Sequence, residues 1–376
     1  MPYDFAIIGG GIHGAACADN LSHAGYKVIV LEQYQQTGLA TSGKSSKLIH
    51  GGLRYLESAQ FRLVRECLQQ RQYLLDQHPD LVKLVPFYIP VYQHSHRKPW
   101  LIRLGLIIYS LLSYRAFKSI KKTHWKQLDN LKTDALKAVF QYYDGQTDDR
   151  LLTQRTMQQA QKNGAQLITN SYFISAQCNT ELCTIKYRQD DKIHSITSRL
   201  IINASGPWVN HILKNISPPQ SRIDIDLVAG THIVINRKLK QGMYYLEAPQ
   251  DKRAVFVMPW KTQSGAEQTL IGTTETAFND EPEKVAPTEE EIDYLIHLYN
   301  HYFTTPLSRH EVVDSFAGLR VLPIDTGHAF HRSRDTIIHY NHTENPKVFS
   351  IYGGKLTAHR STAQQLTKIV SRYLKQ

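Results

Sequence analysis

Three glycines near the start of the chain, Gly9, Gly11 and Gly14, stand in the spacing GxGxxG, and the acid Glu32 follows them. That set suits a dinucleotide. The first glycine permits a tight turn, the second lets backbone approach a pyrophosphate, and the third lets a helix pack close to a strand. The free amides of a helix opening there would face the phosphates, and a carboxylate at Glu32 could accept the ribose hydroxyls. Residues 40–57 read ATSGKSSKLIHGGLRYLE. Within them Ser42, Ser45 and Ser46 beside a glycine are small hydrogen-bonding groups suited to a pyrophosphate or the polar edge of a ring cofactor. The plain alternatives are an ordinary glycine turn and a polar surface loop.

The elements around these residues weigh against the plain reading of the glycine turn. Residues 4–8 are apolar and β-branched, 15–24 have a helical pattern, and 26–31 alternate into a second strand that ends at Glu32, which makes the first half of a βαβ unit. Helical spacing returns over 59–77 and 148–164, and strands are expected at 165–170, 173–178, 184–188 and 200–203, the last running to Gly206. Strand-like runs at 226–235, 254–260 and 268–273 suit an antiparallel sheet in a second domain. A helix over 289–302 opens after Pro287-Thr288 with acids at its positive end, and the chain closes with a strand at 347–351, the turn Gly353-Gly354 and a helix over 356–374. The expected class is α/β (α+β when both domains are counted). It consists of a Rossmann-type nucleotide-binding domain over 1–80, 145–225 and 311–376, with an interleaved antiparallel-sheet substrate domain over 81–144 and 226–310.

Composition narrows the partners. At 376 residues the chain exceeds the roughly 250–300 residues that one core usually organises, so two domains are expected. Lys and Arg total 44 against 33 Asp and Glu, a formal charge of +11, which favours phosphate-bearing cofactors, lipid headgroups or nucleic acid without choosing among them. No nucleic-acid recognition element accompanies the charge, so nucleic acid is not expected. Cys17, Cys67, Cys178 and Cys183 form no CxxC pair and share no stretch with metal-spaced histidines, so neither metal nor disulfide framework is expected and a reducing compartment fits. The start lacks a basic n-region, and no apolar run approaches the ~20 residues of a spanning helix. The stretch 97–126 interleaves apolar residues with Arg103, Arg115, Lys118, Lys121 and Lys122. It suits either a membrane interface or burial in the second domain.

The glycine motif by itself leaves FAD and NAD open. The serine-rich loop 40–57 resembles the signature of the FAD-dependent glycerol-3-phosphate dehydrogenases. So, in the family's order, do residues 203–209 (NASGPWV), 230–234 (GTHIV), 256–260 (FVMPW), 271–274 (IGTT), 318–320 (GLR) and 353–357 (GGKLT). The resemblance covers nearly the whole chain and implies FAD held by Gly9, Gly11, Gly14, Glu32, Thr41, Ser42, Ser45, Ser46, Lys47, Leu48, Gly206, Gly354, Lys355, Leu356 and Thr357. It further implies oxidation of sn-glycerol 3-phosphate to dihydroxyacetone phosphate by hydride transfer from C2 to flavin N5. Electrons would pass to quinone or another acceptor, and the protein would be cytoplasmic or peripheral on the inner face of a membrane.

The same resemblance places Arg54, Arg320 and Arg334 around the substrate, where guanidinium meets phosphate bidentately. Tyr55 would shape the pocket or contact the flavin. Lys355 would sit beside the electron-rich edge of the flavin, stabilising charge on the reduced ring, with Thr357 donating to that edge. A base must take the hydroxyl proton, and His232 and His50 are the candidates, His232 preferred. Arg320, with His232 and Lys355, completes the expected catalytic set. Two departures from the family stand out. Its members continue into a helical C-terminal domain, whereas this sequence ends at Gln376, and Ala358-His359 replaces the more usual threonine-tyrosine. Rival readings are a 2-hydroxy acid or amino acid oxidoreductase of the same fold, whose carboxylate substrate also wants arginine, and a non-catalytic flavin-binding protein.

Overall fold

The computed structural model of the chain describes residues 1–262, 264–324, 336–341 and 344–374. Its helices are α1 (Ile12–His23), α2 (Phe61–Gln77), α3 (Pro99–Ser113), α4 (Asp149–Lys162), α5 (Val209–Lys214), α6 (Glu289–Tyr302) and α7 (His359–Leu374). They flank two sheets.

The first sheet has parallel strands at its centre. Tyr3–Ile8 lies between Val28–Leu31 and Lys192–Asn203, with Gln166–Ile168 beyond one and Val348–Tyr352 beside the other. Val28–Leu31, Val348–Tyr352 and the C-terminal halves of Tyr3–Ile8 and Lys192–Asn203 are buried and read as largely apolar runs, as parallel strands do. The helices α1 and α7 cover one side, packing Ala15, Ala18, Leu21, Ala363 and Leu366 into a core with Phe5, Ile7 and Phe349. The small residues of α1 let it lie close to the strand. At Gly14 the approach is closest: a Cβ there would stand 1.9 Å from the Gly9 carbonyl oxygen.

The second sheet is mostly antiparallel. Ile225–Ile235 pairs with Glu267–Gly272 and along its length with Val312–Pro323, while Val82–Tyr92 pairs with Leu136–Thr147. The strand Val312–Pro323, expected inside the cofactor-binding segment 311–376, lies instead in this sheet. Its aromatic core packs α6 through Leu295, Leu298, Tyr299 and Tyr302 against Tyr244, Val255 and Ile271. The start of α6 carries a capping box, Thr288 and Glu291 exchanging side-chain and backbone bonds.

A further finding differs from the sequence reading. Cys178 and Cys183 are joined by a disulfide, although no framework was expected. They stand opposite each other across the hairpin of Tyr172–Cys178 and Cys183–Gln189, whose turn is closed by Asn179 Oδ1 accepting from Glu181 and Leu182 amides. A local turn, not a motif, brings the sulfurs together. The apolar-basic stretch, which suits either a membrane interface or burial, carries both buried and exposed apolar residues. Leu106 and Tyr109 of α3 are buried, while Trp100, Leu104 and Leu111 face outward, Trp100 being 67% exposed and Leu111 71%. Among the described residues no helix is long and apolar enough to cross a membrane.

Candidate active site

A cavity of about 770 Å3 runs from the first glycine turn to the turn Gly353-Gly354, between the two sheets. Its floor is the N-terminus of α1. Gly11 caps that helix without a side-chain bond, and the Ser42 hydroxyl takes the Ile12 amide at 2.9 Å. At the end of the second parallel strand the Glu32 carboxylate is buried. It accepts from the Gly10 amide at 2.6 Å and the Tyr34 amide at 2.9 Å while still lining the cavity. Burial pushes its carboxyl up, and those two amide bonds act the other way.

Gly9, Gly11, Thr41, Ser42, Ser45, Ser46, Leu48, Gly206, Gly354, Lys355, Leu356 and Thr357 all line this cavity. Gly14 does not, and acts by letting α1 approach the strand. Lys47 is the exception among the expected cofactor contacts. Its ammonium turns away to a buried ion pair with Asp149 and a 2.6 Å bond to the Gly43 carbonyl, beneath the rings of Trp260 and Phe316. Lys44, three residues earlier, does line the cavity, and partial burial lowers the pKa of its ammonium.

The candidate substrate residues meet at the other end. His50, Arg54 and Tyr55 come from the loop ahead of α2, His232 and Arg320 from adjacent strands of the second sheet, and Lys355 from the closing turn. The Lys355 ammonium lies 4.6 Å from the Tyr55 ring centroid, a cation–π contact. Arg320 Nη1 is 3.4 Å from Glu275 Oε1, and Arg253 approaches the same carboxylate at 3.2 Å. Arg334 lies outside the described residues.

His232 is 2% exposed, stacked on Phe316 with centroids 5.0 Å apart, its Nε2 3.0 Å from the Ser46 hydroxyl. Burial, then the nearby charges of Lys47 and Arg320, bring it down to about 3, so the ring is neutral near pH 7. Its strand is held from behind. Glu291, the capping acid of α6, accepts from the hydroxyls of Thr231 at 2.6 Å and Thr274 at 2.7 Å. The departure His359 is likewise buried, donating Nδ1 to the Leu356 carbonyl at 2.6 Å and thereby bracing the turn after Lys355. His13, inside the glycine motif, also lines the cavity and is lowered to about 3 by burial and then by His359. Sequence reasoning passed over His13, Arg253 and Glu275. For His13 the signal was available, since it sits within GxGxxG, while Arg253 and Glu275 carry no motif.

The cradle fits FAD on its own chemistry. A helix N-terminus and small hydroxyls face the place of a pyrophosphate, an acid stands at the strand end for ribose, and the closing turn supplies a lysine and a threonine.

A family model described as FAD dependent oxidoreductase matches residues 4–360. The chain is 34% identical over 368 residues to D-erythritol 1-phosphate dehydrogenase of Brucella abortus, covering 96% of this chain and 72% of that protein. It is 35% identical over 375 residues to aerobic glycerol-3-phosphate dehydrogenase of Escherichia coli, covering 98% and 74%. The crystal structure of glycerol-3-phosphate dehydrogenase from Bacillus halodurans complexed with FAD superposes with a TM-score of 0.77. That match is at 22% identity and covers all of this chain and 65% of the other.

Proposed function

From the premise that this chain belongs to the FAD-dependent oxidoreductase family, we propose that it oxidises sn-glycerol 3-phosphate at C2, yielding dihydroxyacetone phosphate. The observation that carries this reading is the convergence of Arg54, Arg320, His232, His50 and Lys355 on the cavity whose far end holds the glycine turn and Glu32. FAD, when bound, supplies the hydride acceptor. The chain's own residues do the rest. Arg320 and Arg54 bind the phosphate dianion, with Arg334 as a third expected cation. Charge-assisted bonds are worth about 1.5–3 kcal/mol each, so two of them separate the phosphate ester from plain glycerol by roughly several hundredfold or more.

His232, held neutral, accepts the hydroxyl proton at Nε2 or Nδ1. Burial is the main cause of its depressed basicity; a dianion beside Arg320 offsets the smaller contribution of that charge, so substrate raises the proton affinity of the base in part. His50 and Tyr55 shape the wall opposite, and Lys355 stabilises negative charge at the cofactor edge. The backbone around Gly9, Gly11 and Gly206, with Ser42, Ser45, Ser46 and Thr357, holds the cofactor.

The relative named for D-erythritol 1-phosphate favours one second reading, a four-carbon polyol phosphate in the same site. Anaerobic mixing distinguishes these. Glycerol 3-phosphate is expected to bleach the yellow cofactor faster than erythritol 1-phosphate at equal concentration, with glycerol inert. Bleaching by an amino acid or a 2-hydroxy acid in place of either phosphate ester would overturn the assignment.

For the acceptor side, the outward face of α3 supports peripheral docking on the inner face of a membrane, where a quinone could be reached. Trp100, Leu104, Ile107 and Leu111 are exposed there, with exposed Arg103 and Arg115 beside them to meet anionic headgroups. The protein should sediment with vesicles of anionic lipid and should do so less after Trp100→Ser with Leu111→Ser. Equal sedimentation of that variant would remove α3 from the contact.

A further inference from the structure

The loop of residues 50–57 carries His50, Arg54 and Tyr55 to the cavity, but it is a short 3-10 turn (Leu53–Leu56) entered through Gly52 at φ +75°. So brief a turn does not fix its own height above a sheet. What holds it comes from α3 and the buried strand beneath. The Gly51 amide is shared by the Tyr109 hydroxyl at 3.0 Å and Asp144 Oδ1 at 3.1 Å. Tyr109 donates to Asp144 Oδ2 at 2.8 Å, and Arg71 Nη1 meets Asp144 Oδ1 at 2.6 Å and the Tyr143 carbonyl at 3.2 Å. Arg71, Tyr109 and Asp144 are each at most 2% exposed. The fit at Gly51 is close enough that a Cβ there would stand 2.3 Å from the Tyr109 oxygen.

The other end of the loop is held from the segment that leads into α3. Arg97, just ahead of α3, forks onto the Glu57 carboxylate, Nε meeting Oε1 and Nη2 meeting Oε2 at 3.0 Å, and its Nη1 reaches Glu247 at 2.8 Å. A buried guanidinium–carboxylate–phenol set is costly in an apolar core that Leu68, Leu106 and Val64 could fill. Spending a carboxylate and a phenol on one glycine amide makes sense where that amide's position matters.

We propose that Tyr109 is a positioning residue of the substrate site: with Asp144 and Arg71 it sets the Gly51 backbone. Together with the Arg97–Glu57 fork it fixes the height at which Arg54 and Tyr55 meet the substrate. This rests on the reading that the loop contacts the phosphate ester.

The test uses the FAD-loaded protein, anaerobic stopped-flow reduction over a glycerol 3-phosphate series, and three variants: Tyr109→Phe, Glu57→Gln and Arg54→Ala. Tyr109→Phe keeps the ring and the Asp144–Gly51 bond and loses only the hydroxyl. Its substrate dissociation constant is expected to rise roughly tenfold, with the limiting reduction rate changed less than about threefold. The flavin absorption spectrum should stay as in the parent. Glu57→Gln, at an exposed carboxylate, should raise the same constant by about threefold or more and carries the test should Tyr109→Phe not fold. A merely structural role would lower stability and leave substrate affinity alone. Parental affinity in Tyr109→Phe and Glu57→Gln, beside weakened binding in Arg54→Ala, overturns the clamp while sparing the functional reading. Parental affinity in Arg54→Ala strikes at that reading itself.

Discussion

The burial of His232 couples the stability of the fold to pH. The imidazole is buried, and its protonation is held down to about 3 against an ordinary value of 6.5, burial being the largest cause and the charges of Lys47 and Arg320 adding to it. In the unfolded chain the ring returns to its ordinary value. The unfolded state therefore binds a proton as pH falls through 6.5 while the native state does not until about 3, so folding loses stability across that window as pH falls. At about pH 5 the loss assigned to His232 is about 2 kcal/mol, since each unit below the unfolded value is worth about 1.4 kcal/mol. His359, lowered to about 4 chiefly by burial, loses a similar amount by about pH 5, its own window running from 6.5 to about 4.

The perturbation is His232→Gln, assayed by denaturant unfolding of the FAD-loaded protein at about pH 8 and about pH 5. The substitution forfeits the Ser46 contact and the Phe316 stacking at both pH values, so only the difference between the two conditions is informative. The wild type should lose about 2 kcal/mol more between them than the variant. An identical loss in both proteins would mean that His232 is solvated or already charged, and the neutral-base argument would fall with it. A functional corollary follows. The free protein should show no inflection from His232 between about pH 5 and 8 in its second-order rate of reduction.

Gly14→Ala should prevent FAD retention, because its methyl would collide with the Gly9 carbonyl oxygen and push α1 off the strand; cofactor content per chain measures it. Lys47→Met strands Asp149 in the core and should cost about 3–5 kcal/mol in unfolding experiments while leaving the absorption of bound flavin unchanged. A shifted flavin spectrum would return Lys47 to the cofactor site. Glu32→Gln should weaken FAD binding roughly tenfold or more in apoprotein titrations, because the amide accepts fewer of the hydrogen bonds that the carboxylate takes. Arg320→Ala should raise the glycerol 3-phosphate requirement by about tenfold or more, with oxidation of any unphosphorylated analogue much less affected.

How far these features could be read in the text depended on how local their causes are. The helix α6 was legible to its ends because Thr288 and the acids after it determine its start within one turn. The glycine turn, Glu32 and the first two strands were legible for the same reason: each depends on residues within a few positions. The strand Val82–Tyr92 was hidden by Pro86 and Pro90, which read as breaks. They are four residues apart, so their missing N–H groups fall on one edge of the strand and the ladder to Leu136–Thr147 survives. The helix α3 was hidden differently: apolar residues stand on its outer face, at Trp100, Leu104 and Leu111, as well as on its inner one, at Leu106 and Tyr109.

The supports of the site were not legible at all. Glu291 reaches Thr231 across sixty positions of sequence and Asp144 reaches Gly51 across ninety-three; Asp144 belongs to no motif, and the capping box that contains Glu291 says nothing of Thr231. A motif records groups that must face a ligand in a fixed order along the chain. The groups behind them need only a carboxylate at the right point in space, which any of several elements can supply, so the tertiary fold alone identifies them. That division has a physical consequence for Lys47, which stands within the motif and was assigned to the cofactor by its company. Its ammonium is occupied by Asp149, a partner 102 positions away. Membership in a motif locates a backbone beside the ligand, and the direction of each side chain is decided by what lies on the other side of that backbone.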